Sequence, residues 1–104
     1  MKILTSKIRN EEPLPELKSY QSEFLQDRLK SIDKLKQAII NEDYTYLMSI
    51  MHQWAGYAKP YGFNYLEEIG LQLQISAEIK DNKSCQKYLD LAENYLNLKK
   101  NILN

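Results

Sequence analysis

The 104 residues contain one histidine, His52, and the residues sharing its face of a helix decide what it can do. At about 100° per residue, positions three, four and seven further on return to nearly the same face. These are Ala55, Gly56 and Lys59, with Met48 and Ser49 one turn earlier. The apolar positions Leu47, Ile50, Met51 and Trp54 point largely elsewhere. His52 is therefore expected to look outward from a surface of small residues that leaves the ring open to another protein. Neutral imidazole is a good nucleophile near neutral pH, and its nitrogen can accept a phosphoryl group. Such a transfer depends mostly on in-line positioning and on neutralising phosphoryl charge. A partner bringing its own metal ion supplies most of that neutralisation. The histidine-bearing chain then needs a rigid helix, an accessible ring and a nearby cation.

The elements that must hold this ring read as helices. Only three glycines and three prolines occur, with no alternating run long enough to suggest a sheet. Breakers fall at Pro13 and Pro15, at residues 60–62 and at a polar turn of Asp81, Asn82 and Lys83. Residues 1–12 read as a flexible lead-in, and residues 13–104 as the helical domain. Leu14, Leu17 and Tyr20 recur at three-residue steps, which suggests a short opening helix across one end. A first long helix is expected over residues 22–40, with Phe24, Leu25, Leu29, Ile32, Leu35 and Ile39 in one stripe. Asp27 with Lys30 and Asp33 with Lys36 place opposite charges three apart on its solvated side.

Asp43 is a plausible N-cap for the second long helix, which carries His52 and the stripe Leu47, Ile50, Met51, Trp54 and Ala58. Pro60 and Gly62 end it, because proline lacks the amide proton and glycine suits a left-handed C-terminal position. Asn64, with Glu67 three residues later, has capping-box spacing for a third helix lined by Leu66, Ile69, Leu73 and Ala77. Gly70 inside that helix costs about 1 kcal/mol relative to alanine, and close approach to a neighbouring helix would compensate. Asn82 or Ser84 is expected to cap the last helix, whose buried side reads Tyr88, Leu91, Ala92, Tyr95, Leu98 and Ile102. Short links favour antiparallel neighbours, so the expectation is all-α: an up-down-up-down antiparallel four-helix bundle with a short leading helix.

Composition narrows the partners. Fourteen Lys and Arg balance fourteen Asp and Glu, which gives no electrostatic reason to expect nucleic acid or an anionic membrane. The opening MKILTSKIRNEEP lacks the apolar run of a signal peptide, and no stretch approaches a transmembrane span. The lone cysteine, Cys85, permits no intramolecular disulfide, and one His and one Cys far apart make no zinc spacing. These features lead to the expectation of a small cytoplasmic domain, monomeric, with no metal or cofactor of its own.

The segment MHQWAGYAKPYGF, residues 51–63, resembles the histidine phosphotransfer (HPt) domain. That family's pattern is His, Lys and Gly three and four residues on, and Gly at ten. His52, Gly56 and Gly62 fall at those offsets, and Tyr61, Gly62 and Phe63 before a new helix look like a common variant. The likeness covers the chain from about Leu14 onward. It implies a phosphoryl carrier without kinase activity of its own, phosphorylated at His52. Its implied partners are response-regulator receiver domains or hybrid histidine kinases, whose phospho-aspartate exchanges the group and whose receiver supplies an ion such as Mg. Met48, Ser49, Ala55 and Gly56 would meet the partner, Gly56 by letting it approach closely. Ala55 stands where the family usually has lysine, and Lys59, two turns along from His52, is the substitute charge partner.

Plainer readings apply to several of these residues. Trp54 falls on the inward stripe, the eight tyrosines lie mostly in helical stripes, and Cys85 has no basic cluster beside it. Gly56 could merely tolerate crowding against Pro60. The alternative to a phosphoryl carrier is a degenerate HPt-like bundle or helical scaffold that binds a protein without transferring phosphate.

Overall fold

A computed structural model describes residues 5–103. In chain order they form α1 (Thr5–Arg9), a 3-10 segment (Pro15–Tyr20), α2 (Gln21–Ile40), α3 (Tyr44–Ala58), α4 (Asn64–Glu78) and α5 (Asn82–Leu103). There is no strand among the described residues, as the glycine-poor, non-alternating sequence implies. α3 packs most extensively on α4, α4 on α5 and α5 on α2, while α2 touches α3 more lightly.

The inward stripes of α2, α3 and α4 are those that helical spacing predicts. Phe24, Leu25, Ile32, Leu35 and Ile39 are buried on α2, and Leu47, Met51, Trp54 and Ala58 on α3. Leu66, Ile69, Leu73 and Ala77 are buried on α4, while Leu29 and Ile50 pack partly covered against the same core. Gly70 does sit close to its neighbour: a Cβ there would lie 3.4 Å from the Met51 carbonyl oxygen and 3.6 Å from the Ala55 Cβ. That is ordinary contact, so the approach is close without excluding a methyl group.

The last helix is rotated from its expected seam. Cys85, Leu89, Ala92, Leu96 and Lys99 form the fully covered line together with Tyr95, whereas Tyr88, Leu91, Leu98 and Ile102 are half-buried. The physical reason is Lys99, which is only 1% exposed. Reading lysine as a surface residue turns the helix away from its true inward side. Burial raises the Cys85 thiol above its ordinary pKa, with Asp81 adding to the effect, which agrees with an unreactive residue.

The lead-in is a second correction. Residues 1–4 lie outside the described residues, but Ile8 is fully buried and Glu11 nearly so, with α1 packed on α5. The loosely held segment expected through residue 12, and the domain boundary at 13, do not hold from Ile8 onward. Leu17 and Tyr20 belong to the 3-10 segment, which buries none of its residues, and Leu14 is its N-cap. Their three-residue period is the 3-10 repeat, so it places no α-helical stripe across the bundle.

Caps and charge pairs also differ in detail. Asp43 caps α3, its Oδ1 accepting from the Tyr46 amide at 3.2 Å. The expected capping box on α4 is absent, because Phe63 holds the cap position and Asn64 is already helical. The orphan amide of Tyr65 donates instead to Glu11 Oε2 at 2.9 Å. Asp81, rather than Asn82 or Ser84, opens α5, accepting from the Ser84 amide at 3.2 Å and its hydroxyl at 2.8 Å. The expected charge pairs on α2 are replaced by Asp27 with Arg28 at 2.7 Å and Lys36 with Glu93 of α5 at 3.1 Å.

Candidate functional site

α3 is built to be held along one side and open along the other. Its covered side carries Leu47, Met51, Trp54 and Ala58, and its outward side carries Ser49, His52, Gln53 and Gly56, all exposed. The His52 ring makes no hydrogen bond or ion pair among the described residues. Met48 and Ala55 are half-buried beside it, on the edge that meets α4 through Gly70. The helix body, YTYLMSIMHQWAGYA, contains no Asp, Glu, Lys or Arg. An anion placed on His52 would therefore meet no carboxylate from its own helix, where like charge would be destabilising.

Gly56 decides between the two explanations of its small size. A Cβ built there would meet nothing within 4 Å, so Pro60 does not crowd it. Gly62 is the opposite case. Its φ is +85°, and a Cβ would lie 2.7 Å from the Pro13 nitrogen and 2.8 Å from Gln21 Nε2. Gln21 Nε2 donates to the Tyr61 carbonyl at 2.9 Å, Gly62 donates to the Lys59 carbonyl at 2.9 Å, and Phe63 to the Ala58 carbonyl at 2.9 Å. The turn that stops α3 thus requires glycine at 62, whereas the helix does not require it at 56.

Lys59 is exposed and continues the helical backbone as the residue after α3. Seven residues of helix separate its Cα from that of His52 by about 10 Å along the axis. It lines a shallow cleft with Glu12, Pro13, Leu14 and Pro60, and forms no hydrogen bond with His52. The structure thus groups Met48, Ser49, Ala55 and Gly56 around the histidine and leaves Lys59 at the margin.

A network that single-sequence reasoning missed fixes the end of α3. Lys99 Nζ donates to Glu11 Oε1 at 2.8 Å and to the Gly62 carbonyl at 2.7 Å, with the ammonium 5.1 Å from the Phe63 ring centroid. Tyr95 donates its hydroxyl proton to Glu11 Oε1 at 2.7 Å. Burial, followed by the charge of Glu11 and the hydrogen bond to it, raises the Tyr95 phenol far above its ordinary value. The available signal was positional: Lys99 follows Leu89, Ala92 and Leu96 at helical spacing, and a cation on a covered seam demands a carboxylate.

A separate cleft of about 460 Å³ lies between α2 and the end of α3, walled by Tyr20, Phe24, Arg28, Tyr57 and Tyr61. Phe24 and Tyr61 stack at 4.4 Å, and the Arg28 guanidinium lies 4.2 Å from the Phe24 ring centroid. His52 lines neither this cleft nor those beside Ile40, Thr45 and Leu14. No group of three or more His, Cys, Asp or Glu is placed to hold a metal ion among the described residues. No described helix is long and apolar enough to cross a membrane. The chain matches no family model, no curated protein and no solved structure.

Proposed function

We propose that the chain is an HPt-like phosphoryl carrier of a two-component phosphorelay, exchanging a phosphoryl group between His52 and receiver-domain aspartates. The observation that carries this reading is the pairing of exposed His52 with Gly56. A mid-helix glycine costs about 1 kcal/mol relative to alanine, and here nothing in the fold occupies the space its missing side chain leaves. A partner surface pressed against the histidine is what would use that space. Under this reading α2 to α5 run up-down-up-down as an antiparallel bundle, and the domain is a cytoplasmic monomer.

The step is a displacement at phosphorus. A ring nitrogen of neutral His52 forms the P–N bond as the P–O bond to the partner's aspartate breaks, and the carboxylate leaves with that electron pair. The partner's own metal ion, such as Mg, offsets the phosphoryl charge, and α3 contributes an open ring and no opposing carboxylate. Under this reading the chain takes no phosphoryl group from ATP itself; it carries the group between partners.

The second reading is an HPt-like bundle that binds a receiver without transfer. It is favoured by Ala55 in the usual lysine position and by the distance of Lys59 from the ring. Incubation with a phosphorylated receiver separates the two. Acid-labile phosphate on this chain, abolished in His52→Ala, supports the carrier. Binding without label supports the second reading, and neither binding nor label removes both.

A further inference from the structure

α4 has an outer face that the bundle does not use. Leu71 and Ile75, with Ile79 at the helix's C-cap, recur every fourth residue and are 46%, 50% and 68% exposed. The stripe therefore spans about 12 Å along the helix. Scattered exposed apolar residues need no explanation, but a continuous row on one face does. The core positions of α4 are complete without it, since Leu66, Ile69, Leu73 and Ala77 are buried and its flanks are taken by α3 and α5. A Cβ at Gly70 would come within 3.6 Å of Met51 and Ala55, so Leu71 follows directly on the residue where α4 passes close to the histidine-bearing helix.

Charge selects the occupant. The sequence of α4, NYLEEIGLQLQISAE, contains three glutamates and no lysine or arginine. Glu68 falls within the angular range of the stripe and Glu78 on its border, and both are exposed. The first cation beyond is Lys80, in the turn after the helix. A second copy docked isologously would gather four carboxylates and no lysine or arginine of α4 at one seam, and an anionic lipid surface or nucleic acid would meet like charge. We infer that the outer face of α4 docks a cationic amphipathic helix of a protein partner. Aliphatic side chains of that helix cover Leu71, Ile75 and Ile79, and its lysines or arginines face Glu68 and Glu78.

The test uses two labelled synthetic helical peptides with leucines at four-residue spacing, one flanked by lysines and its isomer by glutamates. Fluorescence anisotropy with the full chain is expected to show saturable binding of the lysine peptide, weakened by salt, and none of the glutamate isomer. Leu71→Ser with Ile75→Ser is expected to weaken binding by about tenfold or more, with helicity checked by circular dichroism. Glu68→Gln with Glu78→Gln is a second, surface-only variant, expected to weaken binding and flatten its salt dependence. Equal binding of both peptides, no binding, or unchanged affinity in both double variants overturns the proposal. So does concentration-dependent self-association that the serine variant abolishes, which would give the face to a second copy. His52→Ala is expected to bind the lysine peptide like the unaltered chain, so this inference and the phosphoryl-carrier reading fail separately.

Discussion

Lys99 and Glu11, 88 positions apart in sequence, meet in the interior at 2.8 Å with both side chains almost wholly covered. Glu11 comes from the segment before the first long helix and Lys99 from near the end of the last. Their shared neighbour is the Gly62 carbonyl, 2.7 Å from the ammonium. The backbone turn that terminates the histidine-bearing helix is thus clasped by both ends of the chain.

Removing one member of the pair leaves the other charged, buried and unpaired. Lys99→Met and Glu11→Gln are each expected to cost about 3–5 kcal/mol, read as a lower midpoint in urea denaturation. The double variant should cost less than the sum of the two, because neither charge then remains alone. Additive losses would show that the pair is not coupled.

Tyr95 gives the fold an alkaline limit. Burial and Glu11 raise its phenol above the ordinary value in the folded chain, while the unfolded chain ionises near pH 10. Above that pH the unfolded state has lost a proton that the native state keeps, so stability is full below about pH 10 and falls as pH rises. Tyr95→Phe should lose about 1 kcal/mol at neutral pH, from the missing hydrogen bond, and show a shallower alkaline decline. Denaturation midpoints of the two proteins between pH 8 and 11 measure this; parallel curves would exclude Tyr95 as the source.

Two glycines six residues apart should respond oppositely to alanine. Gly56→Ala fills empty space on a helix and is expected to stabilise the chain by about 1 kcal/mol while slowing phosphoryl exchange with a receiver. Gly62→Ala forces a side chain into a left-handed turn and onto the Pro13 backbone, at a cost of about 2 kcal/mol or more. Thermal melts of both variants, with transfer rates for the first, decide the matter. A stabilised Gly56→Ala that transfers at the original rate would remove the docking role of that glycine.

Lys59 is the proposed charge partner of His52, although the structure leaves it at the margin, as the C-cap of α3. Lys59→Ala is expected to slow transfer to His52 severalfold without moving the melting temperature, since Lys59 makes no ion pair among the described residues. Ala55→Lys, placing a cation one turn from the ring, should raise the rate. Quench-flow with a phosphorylated receiver reads both, and an unchanged rate in Lys59→Ala ends its assignment as charge partner.

The helical stripes were legible because burial on α2, α3 and α4 follows residue type: Leu47, Met51 and Trp54, or Leu66, Ile69 and Leu73, recur where a helix turns inward. His52 was legible for the complementary reason, standing off that stripe among Gly56, Ala55 and Ser49. What spacing could not reveal was any position whose chemistry is settled by a distant partner. Lys99 is held inside by Glu11 and the Gly62 carbonyl, and Glu11 is held in turn by Tyr65, Tyr95 and Lys99. The absent capping box has the same origin, since the Tyr65 amide is satisfied by a carboxylate 54 residues away rather than by its own helix.

The seating of Glu11 bears on where this domain can be cut. A boundary at Pro13, where composition changes, would look harmless on a sequence plot. It would strip the carboxylate from Lys99 and Tyr95 and uncover the site that Ile8 fills. The residues ahead of Pro13 act as a latch on the end of the histidine helix, so a folding unit trimmed for expression or grafting must begin upstream of Ile8. The same latch reaches the Gly62 carbonyl through Lys99, so losing it would loosen the turn that ends the histidine helix.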